Sequence, residues 1–120
     1  MYIVFVVFCL TVTISFLLEF PHDFKFVILV SAFKSLTYDH VTLFERLEDH
    51  KIIIPSLHII GENDQIVDPN LSEKFATEYF AVPMIVRHSG GHTIPSQAIF
   101  REAYHQFLDS MEKFDRLSRD

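Results

Sequence analysis

Two loops hold the residue types best suited to chemistry. One reads Gly61-Glu62-Asn63-Asp64-Gln65-Ile66-Val67, the other Arg87-His88-Ser89-Gly90-Gly91-His92-Thr93-Ile94-Pro95. Each follows an apolar run that reads as a short buried strand, Leu57–Ile60 and Pro83–Val86. An acid at the end of one strand and a histidine at the end of the next suit a proton relay. The carboxylate accepts from one imidazole nitrogen, fixes the tautomer and stabilises the imidazolium formed during proton transfer. Asp64 is the candidate acid and His92 the candidate base. All three glycines of the chain fall in these two loops, and Gly90 and Gly91 let the backbone turn sharply and come close to a partner loop. No nucleophile is evident beside the pair.

The elements that must position the two loops alternate along the chain. Phe26–Val30 has no polar alternation and reads as a strand covered on both faces, as in a parallel sheet. Ser31–Leu36 follows as a loop, and Thr37–His50 carries Val41, Leu43, Phe44 and Leu47 at roughly helical spacing. Lys51–Ile60 is a second strand region, with Pro55 marking a start rather than a middle. Asn70-Leu71-Ser72-Glu73 matches a capping box and predicts a helix from Leu71 to about Phe80. Met84–Val86 is a third strand. Ser96 is placed to cap a final helix with Phe100, Tyr104, Phe107, Met111 and Phe114 near one face, and Lys113 and Arg116 complement its C-terminal dipole. Strand and helix in strict alternation predict an α/β fold with three parallel strands and covering helices.

The composition sets bounds on the rest. With 120 residues the chain is one domain at most, short for an open α/β sheet with its own helices. A formal charge of -6 argues against nucleic acid as a partner. Cys9 is the single cysteine, so there is neither a disulfide framework nor a thiolate cluster, which fits a reducing compartment such as the cytoplasm. Residues 1–18 are uncharged and dense in Ile, Val, Phe and Leu, at the lower edge of a membrane span. No Lys or Arg precedes them and Ser15–Phe20 offers no small-x-small cleavage site. Three readings stay open for this apolar N-terminal segment, 1–23 with the break at Pro21-His22-Asp23: a buried helix or strand, a membrane anchor through 1–18, or a substituted start joined to the domain at 24–120.

Other candidate residues have plainer readings. His88 and His92 are four apart, but Gly90-Gly91 between them opposes a helix and no third ligand is evident, so no metal is expected. His58, between Leu57 and Ile59, reads as a core histidine. Ser31 and Ser35 are the nearest hydroxyls to replace a nucleophile, yet neither is flanked by glycines in a strand-to-helix turn. Asp64 could equally cap the turn after its strand. Nothing points to a cofactor.

Phe26-Val27-Ile28-Leu29-Val30-Ser31, Pro55-Ser56-Leu57-His58-Ile59-Ile60-Gly61-Glu62-Asn63-Asp64 and His88-Ser89-Gly90-Gly91-His92-Thr93-Ile94-Pro95 together resemble the C-terminal half of the FSH-type serine hydrolases. These are α/β-hydrolases that include the ovarian-cancer-associated esterases. The similarity runs from about Phe24 to Phe114. It implies a partial α/β-hydrolase fold, hydrolysis of small carboxylic esters by the whole domain, Asp64 as triad acid and His92 as triad base. The family's nucleophile sits in a Gly-x-Ser-x-Gly elbow ahead of the strand matched by Phe26–Val30. No such pattern occurs here, and Ala32 replaces the family's usual Gly. The expectation is a hydrolase-derived chain, inactive alone. The alternative is a non-catalytic binding or membrane-associated protein, with self-association through the exposed edge of the Phe26–Val30 strand.

Overall fold

The structure is a computed structural model that describes residues 25–33, 45–47 and 50–119. The apolar segment 1–23 and most of the helix expected over Thr37–His50 lie outside the described residues, although 45–47 are helical. The elements are β1 (Val27–Val30), β2 (Ser56–Gly61), α1 (Pro69–Tyr79), β3 (Pro83–His88) and α2 (Ala98–Arg119). The strands form a parallel sheet in the order β1-β2-β3. Val30 is level with Ile59, and Gly61 with His88. This is the parallel α/β architecture expected from the alternating pattern, consistent with the partial α/β-hydrolase fold that the resemblance implies.

Parallel strands are covered on both faces, and all six residues of β2 are buried. Successive side chains of β2 point to opposite faces. Leu57 and Ile59 meet Phe26, Val30, Val86 and Phe107, with Phe100, Tyr104 and Met111 of α2 packed alongside. His58 turns the other way, with its ring centroid 4.8 Å from Phe80 and 6.4 Å from Phe75. It is the core histidine its neighbours suggest: 2% exposed, with Nε2 2.9 Å from Ser56 Oγ. Burial lowers its pKa from 6.5 to about 3, so the ring is neutral inside the fold.

Several boundaries differ from the sequence expectation. The strand region Lys51–Ile60 shrinks to Ser56–Gly61, leaving Ile52 in a single bridge to Phe80. Pro55 has no N–H for the ladder and contributes only its carbonyl, which accepts from Val27 N at 3.0 Å. The capping box at Asn70 does not form. Asp68 is the N-cap, its Oδ1 accepting from Asn70 N at 2.8 Å, and Pro69 opens the helix. Glu73, which should reach back to the cap, instead accepts from Arg87 Nη1 at 3.1 Å. The first turn of α2 closes on Gln97 O, the acceptor for both Phe100 N and Arg101 N, rather than on Ser96. β3 runs through His88, two residues past the expected end.

Candidate active site

The two loops found by sequence leave the same end of the sheet, because β2 and β3 are parallel neighbours. The ladder continues beyond the strands and ties the loops together. Glu62 N donates to His88 O at 2.8 Å and Asn63 N to Gly90 O at 3.0 Å, while Asn63 Nδ2 donates to Ser89 O. The loops touch closely at Gly61, where a Cβ would come within 2.1 Å of Gly91 O and 2.8 Å of Gly90 O. No glycine has a positive φ among the described residues. The close approach is therefore met by Gly61, and a sharp left-handed turn at Gly90-Gly91 is not used.

Asp64 sits at the centre of this junction. Its N–H donates to Gly61 O at 3.2 Å, which curls the loop back on β2. Its Oδ1 accepts from Ile66 N at 2.8 Å and Val67 N at 2.9 Å. Its Oδ2 faces His92 Nδ1 at 2.9 Å. One oxygen of the carboxylate fills the turn-capping role, and the other is left to face the imidazole. Desolvation of the buried group works to raise its pKa. The opposing bonds from Val67 N–H, His92 and Ile66 N–H, with Ser31 nearby, outweigh it and lower the value from 3.8 to about 2. Asp64 is thus ionised throughout the neutral range. With the ring proton on Nδ1, His92 donates to Oδ2 and Nε2 becomes the site of proton exchange. The Asp64 side chain is 2% exposed and that of His92 20%, a buried acid behind a base that reaches the surface.

The remaining candidates stand apart from this pair. His88 is 4% exposed and stacks edge-on to Phe100 with centroids 6.1 Å apart. Its Nδ1 accepts from Gly90 N at 3.1 Å, which fixes the start of the loop that bears His92. Ser35 lies outside the described residues. Ser31 directly follows β1 and is 5% exposed; sequence reasoning weighed it only as a substitute nucleophile. Its signal is the backbone, φ 52, and no sequence pattern encodes it. Arg87 links Glu62 at 3.4 Å to Glu73 at 3.1 Å and so braces α1 against both loops. Among the described residues no three His, Cys, Asp or Glu side chains gather where a metal ion could bind.

Comparison with known proteins identifies the relatives of this chain. Residues 5–104 match the family model described as serine hydrolase (FSH1). The match therefore reaches well upstream of Phe24. Among curated relatives, the chain is 41% identical over 86 residues to esterase OVCA2 of Xenopus tropicalis, covering 72% of this chain and 35% of that protein. It is 41% identical over 84 residues to an esterase of Anopheles gambiae, covering 70% of this chain and 30% of the relative. Against esterase OVCA2 of Homo sapiens the figures are 34% over 85 residues, 71% and 36%. The chain thus spans about a third of the length of these relatives. No solved structure gives a significant match. The chain belongs to the FSH1 serine hydrolase family.

Proposed function

We propose that this chain is the acid–base part of a serine carboxylic-ester hydrolase, formed by residues 24–120, with Asp64 as triad acid and His92 as triad base. The observation that carries the reading is the 2.9 Å contact between Asp64 Oδ2 and His92 Nδ1, buried at the acid and open at the base. In the reaction a serine hydroxyl attacks the ester carbonyl while His92 Nε2 takes its proton. His92 returns that proton to the leaving alcohol, and Asp64 stabilises the imidazolium in between. The serine comes from a Gly-x-Ser-x-Gly segment outside these 120 residues, because the sequence contains none. The chain alone is accordingly inactive in this reading, and its substrate is a small ester in the cytoplasm. Among the described residues no helix is long and apolar enough to cross a membrane; residues 1–18, the alternative anchor, lie outside them.

The test has two parts. The purified 120-residue chain is treated with a fluorophosphonate probe, which labels activated serines, and no labelling is expected. The preceding segment of the Xenopus tropicalis esterase is then joined ahead of residue 24. The chimera is expected to take the label and to hydrolyse p-nitrophenyl esters, and His92→Ala is expected to lower that rate by about 10³-fold or more. Labelling of the chain alone overturns the inactive reading. A folded, active chimera indifferent to His92→Ala overturns the assignment of the base.

A further inference from the structure

Ser31 carries two unfavourable features at once. Its φ of 52 makes it the one non-glycine residue at positive φ among the described residues. An L side chain in that region is unfavourable, and glycine is the ordinary solution. Its Oγ is enclosed by protein and makes no hydrogen bond, an unfavourable state for a buried hydroxyl. The backbone holds it there firmly, since Ser31 N donates to Ile59 O at 2.9 Å and extends the β1–β2 ladder by one residue.

That extension sets what the hydroxyl faces. Val30 is level with Ile59, so Ser31 stands beside the end of β2, where the chain turns through Gly61 and folds back to Asp64. The hydroxyl is close enough to the Asp64 carboxylate to favour its charged form. It is nevertheless outside hydrogen-bonding geometry, so the contact is proximity rather than a bond.

We infer that Ser31 is a positioning residue for the acid, its left-handed backbone aiming a hydroxyl at the Asp64 carboxylate as a donor beside Ile66 N–H, Val67 N–H and His92. The inference rests on the reading of Asp64 and His92 as acid and base. Its role is to hold the carboxylate in one rotamer and in its charged form while the imidazole on the other side gains and loses a proton. The two unfavourable features at residue 31 are then the cost of placing one donor.

Ser31→Gly and Ser31→Ala in the 120-residue chain separate this role from a structural one. Glycine relieves the backbone, alanine keeps its strain, and both remove the hydroxyl. The readouts are the melting temperature, the carboxyl ¹³C titration of Asp64 over the acid range in which the fold persists, and the low-field proton resonance of the His92–Asp64 bond. Ser31→Gly is expected to melt no lower than the natural chain, yet to raise the Asp64 midpoint by about half a pH unit or more. It is also expected to move the low-field resonance, and any folded Ser31→Ala chain should show the same two shifts. A glycine variant that melts higher with both signals unmoved overturns the inference. If Asp64→Asn leaves the low-field resonance in place, the acid–base reading has failed, and that outcome is separate from any effect at Ser31.

Discussion

Gly61 and Gly91 approach so closely that a Cβ on the first would sit 2.1 Å from the carbonyl oxygen of the second. The obstacle is backbone, so no side-chain rotation relieves it. Gly61→Ala is expected to push the two loops apart, costing about 1–3 kcal/mol of stability and lengthening the Asp64–His92 contact. A melting curve together with loss of the low-field His92 proton signal checks this. A variant that melts normally and keeps the signal would show that the loops are not held by this contact.

Asp64→Asn tests the charge without changing the shape. The amide oxygen can still accept from Ile66 N and Val67 N, so the turn survives. Its NH₂ then faces His92 Nδ1, which favours the tautomer with the proton on the wrong nitrogen. In a chimera with a complete triad, turnover is expected to fall by about 10⁴-fold, with a loss of stability no greater than the about 2 kcal/mol that the charged carboxylate contributes. Steady-state hydrolysis of p-nitrophenyl acetate provides the measurement.

Acid should destabilise the fold in two stages. His58 has its pKa depressed by burial from 6.5 to about 3. The unfolded chain therefore binds a proton that the folded chain refuses, and stability falls as pH drops from about 6.5 toward 3. Asp64 is lowered from 3.8 to about 2. Its contribution, about 2 kcal/mol, is whole above pH 4 and is lost between about 4 and 2. His58→Leu is expected to flatten the upper stage and leave the lower one, at a fixed cost of about 1 kcal/mol for the orphaned Ser56 hydroxyl. Melting temperatures at half-unit steps from pH 7 to 3 distinguish the stages. An unchanged slope between 6.5 and 4 in the variant would remove His58 as its cause.

The start of α1 offers a stability test remote from the site. Asp68→Ala removes the acceptor for Asn70 N and is expected to cost about 1 kcal/mol. Asn70→Ala, at the position that the capping-box pattern favours, should cost less. Urea midpoints of the two variants decide which residue caps the helix.

That pair also shows where sequence reasoning stops. Asp64 and His92 are legible because each stands a fixed few residues beyond an apolar strand, and parallel neighbours bring such positions together. His58 is legible from its apolar flanks. The cap at Asp68 is not, because Asn70 and Glu73 satisfy a local pattern. A non-local partner, Arg87, takes the glutamate away, and Pro69 suits the first helical position better than any residue after it. Ser31 is illegible for a deeper reason. Its distinguishing property is a backbone angle imposed by the ladder to Ile59, and nothing in the letters Val-Ser-Ala announces it. The close approach at Gly61 is read correctly as a glycine requirement between the loops, but on the wrong partner, since sequence cannot say which of two touching backbones yields.

The hydrogen bonds from Glu62 and Asn63 to His88, Ser89 and Gly90 have a consequence for how such a protein can be divided. Among the described residues, the loops that bear Asp64 and His92 are joined by backbone bonds between the ends of β2 and β3. A cut, a circular permutation or a fusion made upstream of β1 would leave acid and base in register, ready to accept a serine presented from another piece of chain.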